Sequence, residues 1–182
     1  AGDEVGNFRA DIAGAATFGW IAGKNAAQRA PDIKTFEAAE ESSLVEEKRK
    51  FYSELLAREA GTANPSWKEV NIALQQIMTD YAGVEVRSEH LFKSGLKYLK
   101  DLKNKAMNTM YCQNSHELMR CLEVLDLIQL GELIMLTAQE RKETRGKHVR
   151  VDYPFTNPLN NNRFITVQQV QGTAEIKWRD RH

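Results

Sequence analysis

Ionic chemistry concentrates in one run of this sequence, Glu140-Arg-Lys-Glu-Thr-Arg-Gly-Lys-His-Val-Arg-Val-Asp-Tyr-Pro154. Arg141, Arg145 and Arg150 bring forked cations, Glu143 and Asp152 bring carboxylates, and His148 titrates near neutrality. Acids and bases alternating at this spacing can satisfy one another, since a guanidinium fork takes a carboxylate in bidentate fashion. The favoured reading is therefore a buried ion-pair and hydrogen-bond network of Arg141, Glu143, Arg145, His148, Arg150 and Asp152. Direct catalysis, with His148 as a general acid, is the alternative. A nucleic-acid interface fits poorly, because acidic and neutral positions interrupt the basic run and no aromatic ladder accompanies it.

A second stretch offers different chemistry. Residues 1–30 are rich in glycine and alanine, and almost no charge falls between Ile12 and Gly23. Ala13-Gly-Ala-Ala-Thr-Phe-Gly-Trp-Ile-Ala-Gly23 reads as a helix of small residues. Its uncharged N-terminus can receive negative charge, or its small side chains can pack tightly on another domain. Spacing alone leaves both open. His90 and His116 sit at helix starts and read as surface or capping residues. The four histidines and two cysteines show no metal-ligand spacing, so no metal site is expected. Cys112 and Cys121 suit two buried thiols better than a bridge, as in a reducing compartment.

The elements that must position the charged run are helical. Asn114 is an N-cap with Glu117 as its partner, and Leu118, Cys121, Leu122, Leu125, Ile128, Leu133 and Leu136 keep helical spacing behind it. Apolar residues on the other faces predict a helix surrounded by partners, ending where Gly146 offers a left-handed stop and Pro154 forbids a restart. Upstream, residues 31–62 predict a long amphipathic helix with Leu44, Phe51 and Leu55 in one column and Val45, Tyr52 and Leu56 beside it. Gly61 to Pro65 breaks it. Ser66 and Glu69 form a capping box for a helix striped by Trp67, Val70, Leu74, Ile77, Met78 and Tyr81, which Gly83 ends. Ser88 caps another, striped by Phe92, Gly95, Leu96, Leu99, Leu102, Ala106 and Met110. After Pro154, Arg163–Val170 and Thr173–Trp178 are β-rich runs joined by Gln171-Gly172, a hairpin signature. This is a mainly α chain, a bundle of three to four long helices with a C-terminal β-hairpin.

With 182 residues, 42% hydrophobic, the chain is long enough for a real core. Its 25 basic and 25 acidic residues cancel, so no global field argues for nucleic acid or an anionic membrane. Arg120, Glu123, Asp126 and Glu132 break the most apolar segment, so no membrane insertion is expected. The expected location is the cytoplasm. The chain opens without Met on Ala1-Gly-Asp-Glu-Val-Gly6, which predicts a piece of something larger.

The helical part resembles the C-terminal domain of the flavoprotein subunit of succinate dehydrogenase and fumarate reductase, also seen in adenylylsulfate reductase and L-aspartate oxidase relatives. The likeness rests on three blocks. They are Trp67–Leu74 with Met78, Gly83 and Arg87–Leu91; Leu118 and Leu122-Glu123 with Leu125; and above all Arg141–Pro154, which looks like the family's Arg-x-Glu-Ser-Arg-Gly-x-His-x-Arg-x-Asp-x-Pro signature. Ala1-Gly-Asp-Glu and Gly14–Ala27 likewise resemble the last FAD-contacting motif of flavoproteins with two dinucleotide-binding domains.

The resemblance implies that residues 1–30 are the remnant of an FAD-binding domain, 31–154 the bundle and 155–182 a loop and hairpin. It implies Asp3 as the ribityl contact, and the backbone at Ala13, Gly14 and Ala15 facing the flavin carbonyl where negative charge develops on reduction. FAD would belong to the intact protein and not to this chain alone, because the glycine-rich fingerprint for the pyrophosphate is absent from it. Implied partners are upstream FAD-binding and capping domains and an iron-sulfur subunit, with helical docking as the alternative role. Fumarate reductases place a His-Gly-Ala-Asn-Arg-Leu-Gly-like segment before the helix, and its arginine binds substrate. The loop Val5–Ala13 is shorter and lacks that string; Arg9 stands nearest by position, so the resemblance does not extend to a C4-dicarboxylate substrate.

Overall fold

Capping chemistry sets most of the helix boundaries in the computed structural model, which describes residues 8–32 and 43–181, with side chains from residue 12 onward. The chain divides into two compact units, residues 1–47 and 48–182. The first contains α1 (Phe8–Arg29), which leaves Phe18 and Trp20 largely exposed. The helix predicted over 31–62 is shorter as described: α2 runs Ser43–Ala57, and residues 33–42 lie outside the described residues. Its predicted column is buried only towards its C-terminal end. Leu55 is fully buried and Phe51 packs on the core, whereas Leu44 and Leu56 are exposed.

Three helices make the body of the second unit: α3 (Trp67–Ala82), α4 (Glu89–Thr109) and α5 (Ser115–Glu140), each packed on the other two. The Ser66–Glu69 capping box forms as predicted, with the Ser66 N–H donating to Glu69 Oε2 at 2.7 Å. Asn114 caps α5, but the Glu117 carboxylate reaches back to the Gln113 N–H at 2.9 Å. The predicted stripes of α3 and α4 are the core: Val70, Leu74, Phe92, Leu99, Ala106 and Met110 are buried against Cys121, Val124, Ile128 and Met135 of α5. Burying such side chains supplies about 1.5–3 kcal/mol each. Cys112 and Cys121 are free, buried thiols; burial first, and then Cys112 beside it, push the Cys121 thiol up to about 12.

Two expectations for α5 need correction. It is not surrounded: Leu127, Leu130 and Ile134 are 40–50% exposed, because α3 and α4 cover one side of it. Nor does Gly146 stop it. The helix ends at Glu140, and Gly146 (φ 55°) instead opens a tight turn further on.

The hairpin is close to expectation. Strands β1 (Arg163–Val170) and β2 (Thr173–Asp180) pair antiparallel, Val170 opposite Thr173. Gln171 and Gly172 both take positive φ, 49° and 81°, as the right-handed strand twist asks of a two-residue turn. The Trp178 Nε1–H donates to Glu140 Oε1 at 2.9 Å, tying the hairpin to the end of α5.

One close approach yields a test. A Cβ built on Gly95 of α4 would lie 2.6 Å from Tyr81 Cβ and 2.8 Å from Met135 Sδ and Cε, where three helices meet. Gly95→Ala should therefore destabilise the domain by about 1–3 kcal/mol despite alanine's better helix propensity. At Gly131 the close atom is only the flexible Met78 Sδ, at 2.8 Å, so Gly131→Ala should be near neutral. Paired thermal melts check this; equal midpoints for the two variants would refute it.

Candidate functional site

Three helix ends converge on the segment that follows α5. Arg150 is fully buried and lies between the rings of Phe92 and Tyr153, its guanidinium carbon 5.3 and 5.0 Å from their centroids. Its Nε and Nη2 donate to Asp152 Oδ1 and Oδ2, both at 2.7 Å, in a bidentate pair. Its Nη1 donates to the carbonyls of Ala138 and Gln139 at 3.1 and 3.0 Å. Those carbonyls lack partners within the helix and carry the negative end of the dipole, so a buried cation there satisfies the end of α5.

Asp152 repeats the argument with opposite sign. Its Oδ2 accepts the Glu89 N–H at 2.8 Å, supplementing the Ser88 cap at the positive start of α4. The Arg150 fork first, against the smaller cost of burial, holds the Asp152 carboxyl down at about 2. One ion pair thus bridges the start of α4 and the end of α5.

The third end is that of α3. Arg87 Nε and Nη2 donate to the carbonyls of Gly83 and Ala82 at 2.9 and 3.2 Å. Its Nη1 lies 2.9 Å from His148 Nδ1, and its own carbonyl accepts the Val151 N–H at 2.9 Å. The other ring nitrogen, His148 Nε2, is 2.9 Å from the Arg141 carbonyl. Burial first, with the positive charges of Arg87, Arg150 and Arg141, outweighs the stabilising bond to the Arg141 carbonyl and pushes the His148 imidazolium below its ordinary range.

Glu143, fully buried, is the centre of a second cluster. Its Oε1 accepts from Arg141 Nη1 at 2.6 Å and Asn160 Nδ2 at 3.3 Å. Its Oε2 accepts from Arg145 Nε and Nη2 at 3.2 and 3.0 Å and from the Asn157 N–H at 3.0 Å. Burial alone would raise the carboxyl, but these donors, Arg145 first, outweigh it and hold the group below the carboxylate range. Arg145 and His148 exchange backbone hydrogen bonds of 2.9 Å around Gly146 and Lys147, and the Thr144 hydroxyl bonds the Arg150 and Tyr153 carbonyls.

The six residues predicted as a network are thus brought together, and each has its partners. Among the described residues no buried side-chain nitrogen or oxygen lacks one. The arrangement can fix three helix ends in register; it presents no free nucleophile. The other predicted site residues belong to the first unit. Asp3 lies outside the described residues. Arg9, Ala13, Gly14 and Ala15 fall within α1, which starts at Phe8. A helix leaves only the N–H groups of its first turn unpaired, so the amides of residues 13–15 are committed to the helix. Sequence reasoning missed Arg87, Glu89, Thr144, Asn157 and Asn160 as partners. Arg87 and Glu89 flank the Ser88 cap, which was the one available signal.

Three comparisons place this geometry. The model of a family described as "Fumarate reductase flavoprotein C-term" matches residues 71–182. The fumarate reductase flavoprotein subunit of Haemophilus influenzae is 25% identical over 146 residues, 78% of this chain and 24% of that protein. The L-aspartate oxidase of Yersinia pestis is 34% identical over 89 residues, 49% of this chain and 15% of that protein. The chain therefore spans about a quarter or less of the length of these relatives. In fold it is similar to adenylylsulfate reductase from Archaeoglobus fulgidus, with a TM-score of 0.72 at 23% identity, over 88% of this chain and 27% of that one.

Proposed function

Since this chain belongs to the family of fumarate reductase flavoprotein C-terminal domains, we propose that it is the C-terminal helical domain of an FAD-dependent oxidoreductase of the fumarate reductase and succinate dehydrogenase type. In the intact protein a hydride would pass between flavin N5 and substrate on residues outside this chain, with electrons relayed to an iron-sulfur partner. The observation that carries this reading is the engagement of Arg141, Glu143, Arg145, His148, Arg150 and Asp152 with one another, with Arg87, with helix ends and with the loop at Asn157. Such a run is a scaffold, suited to bracing the bundle against a flavin-bearing and capping region. The same reading places the protein in the cytoplasm, and among the described residues no helix is long and apolar enough to cross a membrane.

The residues described do not fit FAD by themselves. The amides at Ala13, Gly14 and Ala15 are used inside α1, and the sequence has no glycine-rich fingerprint for the pyrophosphate. The isolated chain is therefore expected to unfold cooperatively in urea, yet neither to bind FAD in a fluorescence titration nor to reduce fumarate. Measurable binding or turnover by the chain alone would overturn the proposal.

A second reading, a docking module for a partner subunit, is favoured by the exposed row of Leu127, Leu130 and Ile134 on α5. Retention of an iron-sulfur protein by the wild-type chain, but not by a variant with charges in that row, would decide for it.

A further inference from the structure

The contact between Arg87 and His148 has a consequence that structural bracing does not require. We propose that His148 is an acid-labile latch, whose protonation releases Arg87 and separates the end of α3 from the segment after α5. A guanidinium has donors and no acceptor, so His148 Nδ1, 2.9 Å from Arg87 Nη1, must carry a lone pair. The ring proton then sits on Nε2 and is donated to the Arg141 carbonyl at 2.9 Å. The closed junction selects one neutral tautomer. A proton added at Nδ1 would point at the guanidinium, converting a hydrogen bond into a donor–donor contact between two cations.

No neighbouring anion offsets this. The charges acting on the ring are Arg87 from the α3–α4 connection, Arg141 from the end of α5 and Arg150 from its own segment, all positive. The nearby carboxylates are engaged elsewhere: Glu143 with Arg141 and Arg145, Asp152 with Arg150, and Glu89 with Gln139, Lys93 and Arg150. None is hydrogen-bonded to the ring among the described contacts. The ring is half-buried, so water screens the repulsion incompletely. Arg87 is also the group that ties the Ala82 and Gly83 carbonyls to this segment, and its backbone carbonyl holds the Val151 N–H. Expelling its side chain therefore loosens residues 83–88 and 148–151 together.

The sign follows from the depressed imidazolium. The closed state is fully favoured above the ordinary histidine value of 6.5 and loses that advantage as pH falls below it. The experiment is amide hydrogen exchange of the whole chain, each rate divided by its intrinsic value, together with an NMR titration of the histidine rings. Wild type should show Nε2–H at His148 above neutrality, with the ring titrating below the ordinary histidine value of 6.5. As pH falls below 6.5 the opening constant of the Val151 amide should rise, at most about tenfold per pH unit for one coupled proton, and level off once the native ring itself takes the proton. His148→Gln offers an acceptor and a donor without a titration, so its Val151 opening should stay flat over the same range. An Nδ1–H tautomer, a His148 midpoint at or above 6.5, or equal acid opening in wild type and His148→Gln would each overturn the latch. The direct ring titration stands even if the glutamine variant folds poorly.

Discussion

Arg150→Ala should cost the domain about 3–5 kcal/mol, the usual cost of removing one partner from a buried ion pair. The loss has several parts. Asp152 loses its bidentate partner, the Ala138 and Gln139 carbonyls lose their donor, and the space between Phe92 and Tyr153 empties. Against a typical total stability of about 5–15 kcal/mol, that is roughly a fifth or more. Arg150→Met keeps the apolar stem between the two rings and should recover part of it, whereas Arg150→Lys cannot span the carboxylate fork and the two carbonyls at once. Urea denaturation gives the values, and the acid limb gives an independent check. Asp152 is held at about 2, mainly by the Arg150 hydrogen bonds, so its contribution is complete above its ordinary value of 3.8 and is lost as pH falls towards 2. That portion of the acid transition should vanish in Arg150→Ala. A cost under about 1 kcal/mol would mean that the three helix ends hold together without this cation.

Glu143→Gln is the second large expected effect, about 2–4 kcal/mol, although it changes the side chain's shape very little. A carboxylate has two acceptor oxygens, and both are used, by Arg141 and Asn160 on one side and Arg145 and Asn157 on the other. A glutamine amide must turn its N–H groups towards one of these donor sets, and it leaves two guanidinium groups without their counter-ion. Because the Glu143 carboxyl is held below its ordinary 4.5, its contribution is present above that value and fades on acidification below it. The variant should lack this part of the pH dependence. Exchange of the Asn157 amide, bonded to Glu143 Oε2 at 3.0 Å, reports the site directly. Wild-type protection at Asn157 in the variant would contradict the assignment.

Local chemistry made much of this fold legible. Ser66 with Glu69, Ser88 and Asn114 each sit within three residues of the amide they cap, and Gln171-Gly172 lies between two alternating runs. The composition of the network was legible too, because the alternating charges of residues 141–152 satisfy one another largely within their own segment. What failed depends on distance along the chain. Arg87 and His148 are separated by 61 positions, and nothing near either names the other. Glycine is the common local signal for a helix stop, and it points to Gly146, whereas the helix ends at Glu140 and its last carbonyls are met by a guanidinium folding back from Arg150. The exposed α5 row is hidden from the sequence because periodicity reports that Leu127, Leu130 and Ile134 are apolar and says nothing of how many neighbours surround the helix.

The amide that begins α4 takes its bond from a carboxylate 63 residues downstream. In time as well as in space, α4 has a local cap in Ser88 and a second one that waits for residue 152. During synthesis the α3–α4 pair emerges and can collapse on its apolar stripes long before Asp152 exists as a partner. Closing so long a loop carries an entropy cost that a few polar contacts repay only after the helices already face one another. A clasp of this range is expected to form late in folding and to open early in unfolding. Its strength sets how long the native domain persists more than how fast it is reached.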